Sequence, residues 1–432
     1  MSRKYYILGG ILGVLLIIAI ILLFTTSGNK ANNAKVTLTW WMTFEDSQNV
    51  QQLIADYTAL HKNVTINFVK KDLTDYESDL VNALAAGNGP DIFTIHNDWL
   101  PAYLDKVAPV PDTILNLRTY QDSFADVASS DFVKDGKIYA VPLSTDVLAL
   151  YYNKDLLGSA GISQPPTTWT ELEQDVEKIT KISKPGTFQT SGIAMGTSGN
   201  VNRAVDILSL LMLQEGTQFY NSDFTSATFD QQQTNSSTPF SPSATALAFY
   251  TQFADAGKNS YTWNSQSDQS IDAFTQGKVA MILNYQYLTP IIQSRAPNLN
   301  WGVAPIPQIS DDVTKVNFAN YWGQAVSKSS KNSTAAWNFL NFITQKTELD
   351  KYYAQHPLVA SRKDILADQH TNPNFGVFAD SALTARSVYK KNANLFETVF
   401  LQMIDDVTLK NIDPQQAIST AAQQIDLNLR GP

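Results

Sequence analysis

Residues 136–172 read "GKIYAVPLSTDVLALYYNKDLLGSAGISQPPTTWTEL" and carry most of the information about the fold. Just before them, Asp135-Gly136 stands between apolar flanks ("FVKDGKIYAVP"), which predicts a hairpin because this pair readily takes two positive φ angles. Residues 147–152 are apolar and predict a strand. In "PPTTWTEL", Thr168 and Glu171 have capping-box spacing, and Leu172, Val176 and Ile179 follow on one helical face. Turn, strand and capped helix in close succession point to an α/β chain.

The pattern extends outward in both directions. Upstream, residues 36–41 alternate and are β-branched, predicting a strand. Its two tryptophans fall on opposite faces, Trp40 with Val36 and Leu38, Trp41 with Thr37 and Thr39. A strand covered on both faces would pack both rings. Apolar positions 50, 53, 54, 57 and 60 predict a helix, with Asp46 or Ser47 available to cap it. Residues 64–69 predict a second strand, 76–86 a helix stopped by Gly87, and 92–95 a third strand that ends in His96-Asn97-Asp98. This βαβαβ rhythm implies a parallel sheet with helices on both faces. Downstream, helices are expected at 206–215, from Pro242, at 271–277, at 335–343 and after Asp413-Pro414. A strand is expected at 279–284 and an irregular polar loop at 221–241.

At 432 residues the chain is too long for one core, and two lobes or more are expected. The net charge of −9 argues against nucleic acid as a partner, since phosphate binding needs a basic face. There are no cysteines, which excludes disulfides, thiolate metal sites and a cysteine nucleophile. After the basic "MSRK", residues 5–24 form a run of twenty without a charge. At about 1.5 Å per residue it matches a bilayer core of about 30 Å. Residues 1–24 are therefore expected to be a membrane anchor or uncleaved signal, with the N-terminus cytoplasmic and the remaining chain extracytoplasmic. Residues 25–35 form a polar linker.

Motifs for chemistry are missing. The four histidines, His61, His96, His356 and His370, lack metal-ligand spacing. "GTSGN" is not a nucleophile elbow, and "GNGPD" follows a helix where a dinucleotide fingerprint would follow a strand. "NSDFTSATFD" lacks the glycine and final glutamate of a calcium loop. No catalytic residue, metal or cofactor is assigned. Forty carboxylates leave room for a glycosidase pair, but nothing in the sequence selects one.

Five segments together resemble the extracellular solute-binding proteins of ABC importers, in the sugar-binding group that includes maltose-binding protein. They are "ALAAGNGPDIFTI", residues 136–172, "AFTQGKVAMI", "WGVAPIP" and "AVSKSSKNSTAAWNFLNFIT", which follow in the family's order across residues 36–430. The resemblance implies a type II periplasmic-binding-protein-like fold of two α/β lobes. The N-lobe would hold 36–144 plus 324–345, and the C-lobe 146–321 plus 350–430. A small solute, a sugar or oligosaccharide, would sit between lobes that close by hinge motion. The partner would be an ABC permease and the protein a monomer. A glycan-acting enzyme, or a receptor presenting ligand to a sensor, would use the same scaffold.

The resemblance also nominates site residues. After the first strand these are Phe44 and Glu45, with Asp46 as helix cap and Trp41 as a cleft wall. After the third, Asp98 matches the family's sugar-binding aspartate, flanked by His96 and Asn97, with Trp99 assigned to the core. Asp146 falls where the family places an acidic residue at the crossover. Asn284, Tyr285 and Tyr287 stand where the family usually presents a tryptophan, a departure that implies a different ligand footprint. Tyr321 and Trp322 would line the cleft, Arg362 resembles the family's basic residue after a proline, and Trp263 is a weaker candidate. Rings would take sugar faces, and carboxylates, amides and arginine the hydroxyl edges.

Overall fold

The structure is a computed structural model that describes residues 34–233, 240–311 and 314–430. The anchor expected at 1–24 and nearly all of the 25–35 linker lie outside these residues. Among the described residues no helix is long and apolar enough to cross a membrane.

Two sheets organise the chain. The first runs Val64–Lys70, Val36–Met42, Ile92–His96, Trp322–Ser327, Val107–Ala108, with Ala140–Pro142 also paired to Trp322–Ser327. Its first three strands are parallel, as the rhythm predicted. Trp322–Ser327 enters antiparallel, so the sheet is mixed. That strand arrives from the other lobe, with no helical crossover to force parallel pairing. The second sheet runs Trp301–Ala304, Ala149–Asn153, Val279–Asn284, Thr187–Ile193, Lys181–Lys184, with one parallel pair between Thr187–Ile193 and Val279–Asn284.

The local chemistry explains the elements. In Val36–Met42, Leu38, Trp40 and Met42 are buried and the alternate positions less so. Trp40 donates from its indole Nε1 to Gln324 Oε1 at 2.8 Å, and Phe68 and Phe339 meet its ring edge-on. Emptying that site by Trp40→Ala would cost about 3–5 kcal/mol. Asp135 and Gly136 take φ of 51° and 72° between Val133–Lys134 and Lys137–Ile138, the turn the sequence predicted. The capping box at Thr168 and Glu171 is formed, which is worth about 1 kcal/mol. Asp46 precedes the helix Ser47–Leu60 but makes no capping hydrogen bond and pairs with Lys70 at 2.7 Å. Gly323 permits the close approach of the returning strand, since a Cβ there would lie 2.6 Å from the Phe132 ring.

Three passages of chain lie side by side between the lobes. Leu148 donates its amide to Phe318 O at 3.1 Å, Asn320 to Asp146 O at 2.9 Å, and Thr145 to Val359 O at 3.1 Å. Helix Lys346–Gln355 still packs on Ser47–Leu60 of the first lobe, whereas Gly376–Ala382 packs on strand Ala149–Asn153 of the second. The last passage therefore comes later than the boundary expected at residue 350. The apolar face of Lys346–Gln355, with Leu349 and Tyr352 buried, holds it to the first lobe.

Candidate functional site

The ends of strand Ile92–His96 and of strand Val279–Asn284 both meet these passages, the first through His96 on Asn320 at 3.1 Å and the second through the Gln286 amide on Asp146 at 2.8 Å. On the first lobe, Asp98 is buried and shares its carboxylate between His96 Nδ1 at 2.5 Å and Lys390 Nζ at 3.3 Å. Burial alone would raise its pKa, but the charges of His96 and Lys390 win and hold it near 2. His96 is raised in turn, since Asp98 outweighs the effect of burial. Lys390, only 9% exposed, is also raised, because Asp98, Asp206 and Glu397 outweigh its desolvation. His96 Nε2 meets Asn320 Oδ1 at 3.1 Å, and its ring lies 5.0 Å from Trp322. Trp322 also contacts Phe44 and Trp99, and Trp99 stacks on Tyr103, so Phe44, 55% exposed, is the outer edge of an aromatic cluster.

On the second lobe, Arg203 sits over both Tyr285 and Tyr287 at 5.3 Å, a cation–π pair of contacts. Its Nη2 donates to Tyr287 Oη at 3.3 Å, while its buried Nε makes no hydrogen bond. Tyr285 donates to Asp206 at 2.9 Å, and Asn202 Oδ1 accepts from Asn284 at 2.9 Å and Tyr287 at 3.2 Å. Asp146 lies at the passage itself. It accepts amides from Val147 at 2.9 Å, Gln286 at 2.8 Å and Tyr287 at 3.3 Å. Burial nonetheless pushes its carboxyl up to about 6, against those hydrogen bonds and the distant charge of Arg203.

The remaining nominated residues sort plainly. Asn97 is buried and donates to Asp131 at 3.1 Å, and the Tyr321 hydroxyl donates to the same carboxylate at 2.7 Å. Glu45 accepts from Asn49 at 2.8 Å. Trp41 lies under Lys71 Nζ, 4.5 Å from its ring centre, and Trp263 is buried against Asn200 in the second lobe. Arg362 is spent on Asp364, Thr344 O and the Phe124 ring, which separates it from the groups above. Trp99, assigned to the core, does pack against it, but through the Trp322 cluster at the cleft.

Sequence reasoning did not single out Asn202, Arg203, Asp131 or Lys390. Asn202, Arg203 and Lys390 sit in loops and Asp131 near the end of the short helix Asp126–Phe132, each far along the chain from a partner. The signal that could have found two of them is a charged residue beside an apolar helix start, as in "NVNRAVD", or beside aromatics, as in "SVYKKN".

Comparison with known proteins defines the class. The family model for bacterial extracellular solute-binding proteins matches residues 43–348, and the chain belongs to that family. It is similar to a protein of Brucella abortus (strain 2308) named only as a binding protein, 29% identical over 292 residues, or 67% of each chain. It is also similar to the maltotriose-binding protein of Pyrococcus abyssi (strain GE5 / Orsay), 24% identical over 334 residues, covering 76% of this chain and 66% of that one. The structure of the sugar-binding protein MalE from the phytopathogen Xanthomonas citri superposes with a TM-score of 0.76 at 22% identity, covering 91% of this chain and 97% of that one. This last likeness establishes the two-lobed fold.

Proposed function

We propose that this protein captures a sugar or oligosaccharide between its lobes outside the cytoplasm and delivers it to an ABC permease, without chemistry of its own. The supporting observation is the pair of half-sites, one from each lobe, beside the passages that join the lobes. The Trp322 cluster with His96 and Asn320 stands on one side, and Arg203 over its two tyrosines with Asn202 on the other. Aromatic rings suit the apolar faces of sugars, and amides and charged groups suit the hydroxyls. A ligand touching both half-sites binds the closed arrangement more tightly than the open one and so shifts the population toward closure. The names of the maltotriose-binding and sugar-binding relatives support the sugar class. The uncharged run at 5–24 supports a single-span tether with the lobes outside.

The test is a thermal-shift screen of the full chain against sugars, amino acids and short peptides, in a detergent without a sugar head group. A bound sugar raises the melting temperature. Stabilisation by amino acids or peptides alone overturns the sugar class. Recovery of a bound oligosaccharide in hydrolysed form overturns the non-enzymatic reading.

A further inference from the structure

A second space opens beside the half-sites. A cavity of about 550 Å³ lies between the lobes, lined by Leu100, Asp98 and Asp131 from the first and by Phe224, Ser387 and Tyr389 from the second, among others. Its volume falls within the range of about 300–1,000 Å³ usual for small-molecule sites. Asp98 lines the cavity while its partner His96 meets Trp322 in the cleft, so Asp98 stands in the wall between the two spaces.

Phe224 is the unusual member of this lining. It is 45% exposed and holds a left-handed φ of 54°, which a bulky aromatic rarely adopts. Its loop is built to hold that conformation. Asn221 Oδ1 accepts from the amides of Thr225 at 2.9 Å and Ser226 at 3.1 Å, and Asp426 anchors the Ala227 amide at 2.5 Å. The Phe224 ring lies 5.0 Å from Tyr389, and Tyr220 donates to Tyr389 O at 2.8 Å. The loop thus presents an aromatic surface that its own packing does not consume. Across the cavity the carboxylates of Asp98 and Asp131 stand among the apolar side chains of Leu100, Leu104 and Val133. Asp131 accepts from Asn97, Tyr321 and Ser387. Aromatic rings on one side and hydrogen-bond acceptors on the other suit a ring with an apolar face and hydroxyl edges.

We propose that this cavity is an end subsite for one further sugar ring, so that the chain selects an oligosaccharide longer than a disaccharide. The Phe224–Tyr389 pair takes the ring's face, and the carboxylates of Asp98 and Asp131 accept from its hydroxyls. The inference rests on the sugar reading above.

The experiment is isothermal titration of the full chain, in the same kind of detergent, with matched pairs: maltose and maltotetraose, diacetylchitobiose and its tetramer, mannobiose and mannotetraose. The expected result is that one tetrasaccharide binds about tenfold more tightly than its disaccharide. Phe224→Ala and Tyr389→Ala each abolish that gain and leave the disaccharide affinity unchanged. Melting curves of both variants check folding, and if Phe224→Ala does not fold, Tyr389→Ala carries the test. Equal affinity for both members of every pair overturns the end subsite and spares the sugar reading. So does a loss in Phe224→Ala shared equally by disaccharide and tetrasaccharide. Binding of neither member of any pair overturns both.

Discussion

Asp98 and Asp146 both close a strand end at the lobe junction, and both were nominated by the same resemblance, yet their surroundings treat them oppositely. Asp98 faces two cationic side chains and is held near 2. Asp146 faces three backbone amides and is pushed up to about 6. Each is removed from water. The difference is in what replaces the water. Neutral amides satisfy the carboxylate's geometry without offsetting its charge, whereas full charges at 2.5 and 3.3 Å do both. Asp98 is thus part of a charged cluster that spans the lobes. Asp146 organises the passage between them by tying Val147, Gln286 and Tyr287 together.

The largest expected effect breaks the first half of this contrast. Asp98→Ala leaves Lys390 buried without its counter-ion, and the loss of folding stability should be about 3–5 kcal/mol by urea denaturation. A loss below about 1 kcal/mol would show that Lys390 finds water or another partner. Asp146→Asn tests the other half through pH. A carboxyl at about 6 in the fold, against about 3.9 in the unfolded chain, makes a contribution that is fully present below pH 4 and lost as pH rises through 6. Asp98 has the reverse sign: its contribution is present above pH 4 and lost as pH falls toward 2. The stability of Asp146→Asn relative to the parent should therefore improve between pH 4.5 and 7, read from denaturation midpoints, because the background from Asp131, raised like Asp146, is common to both proteins. No change with pH would place a charge beside Asp146.

Tyr287→Phe is a smaller perturbation. It removes the hydroxyl that joins Asn202 and Arg203, costing about 0.5–1.5 kcal/mol in stability, with a weakened ligand affinity by titration. Arg362→Ala should matter least: its partners Asp364 and Phe124 lie away from both carboxylates, so ligand affinity stays constant and stability falls by about 1 kcal/mol at most.

Much of the architecture was legible in the sequence because it is local. The turn at Asp135-Gly136, the capping box at Thr168 and the alternation around Trp40 each need only a few neighbouring residues. Strand ends follow from strands, so His96, Asn97, Asp98 and Tyr287 were reachable. Their partners were not. Lys390 lies far along the chain from Asp98, and Asp131 meets Tyr321 from a different element. No periodicity encodes such a pairing. The antiparallel entry of Trp322–Ser327 was hidden for the same reason, since a strand's direction depends on where the chain has just been. Trp41 shows the limit from the other side: its position on the strand was read correctly, but the Lys71 that covers its ring comes from beyond the next strand.

The returning strand has a consequence in time. The first lobe begins its sheet at Val36, but the strand that pairs with Ile92–His96 on its far side is Trp322–Ser327. A ribosome or export channel releasing the chain from its N-terminus exposes that edge until nearly three-quarters of the sequence has emerged. The second lobe has all five strands of its own sheet by Ala304, before the first lobe is complete. Pairings so far apart in sequence close slowly. The second lobe's sheet is therefore complete before the first lobe's, and the early sheet keeps an unsatisfied edge that a chaperone could occupy until Trp322–Ser327 arrives.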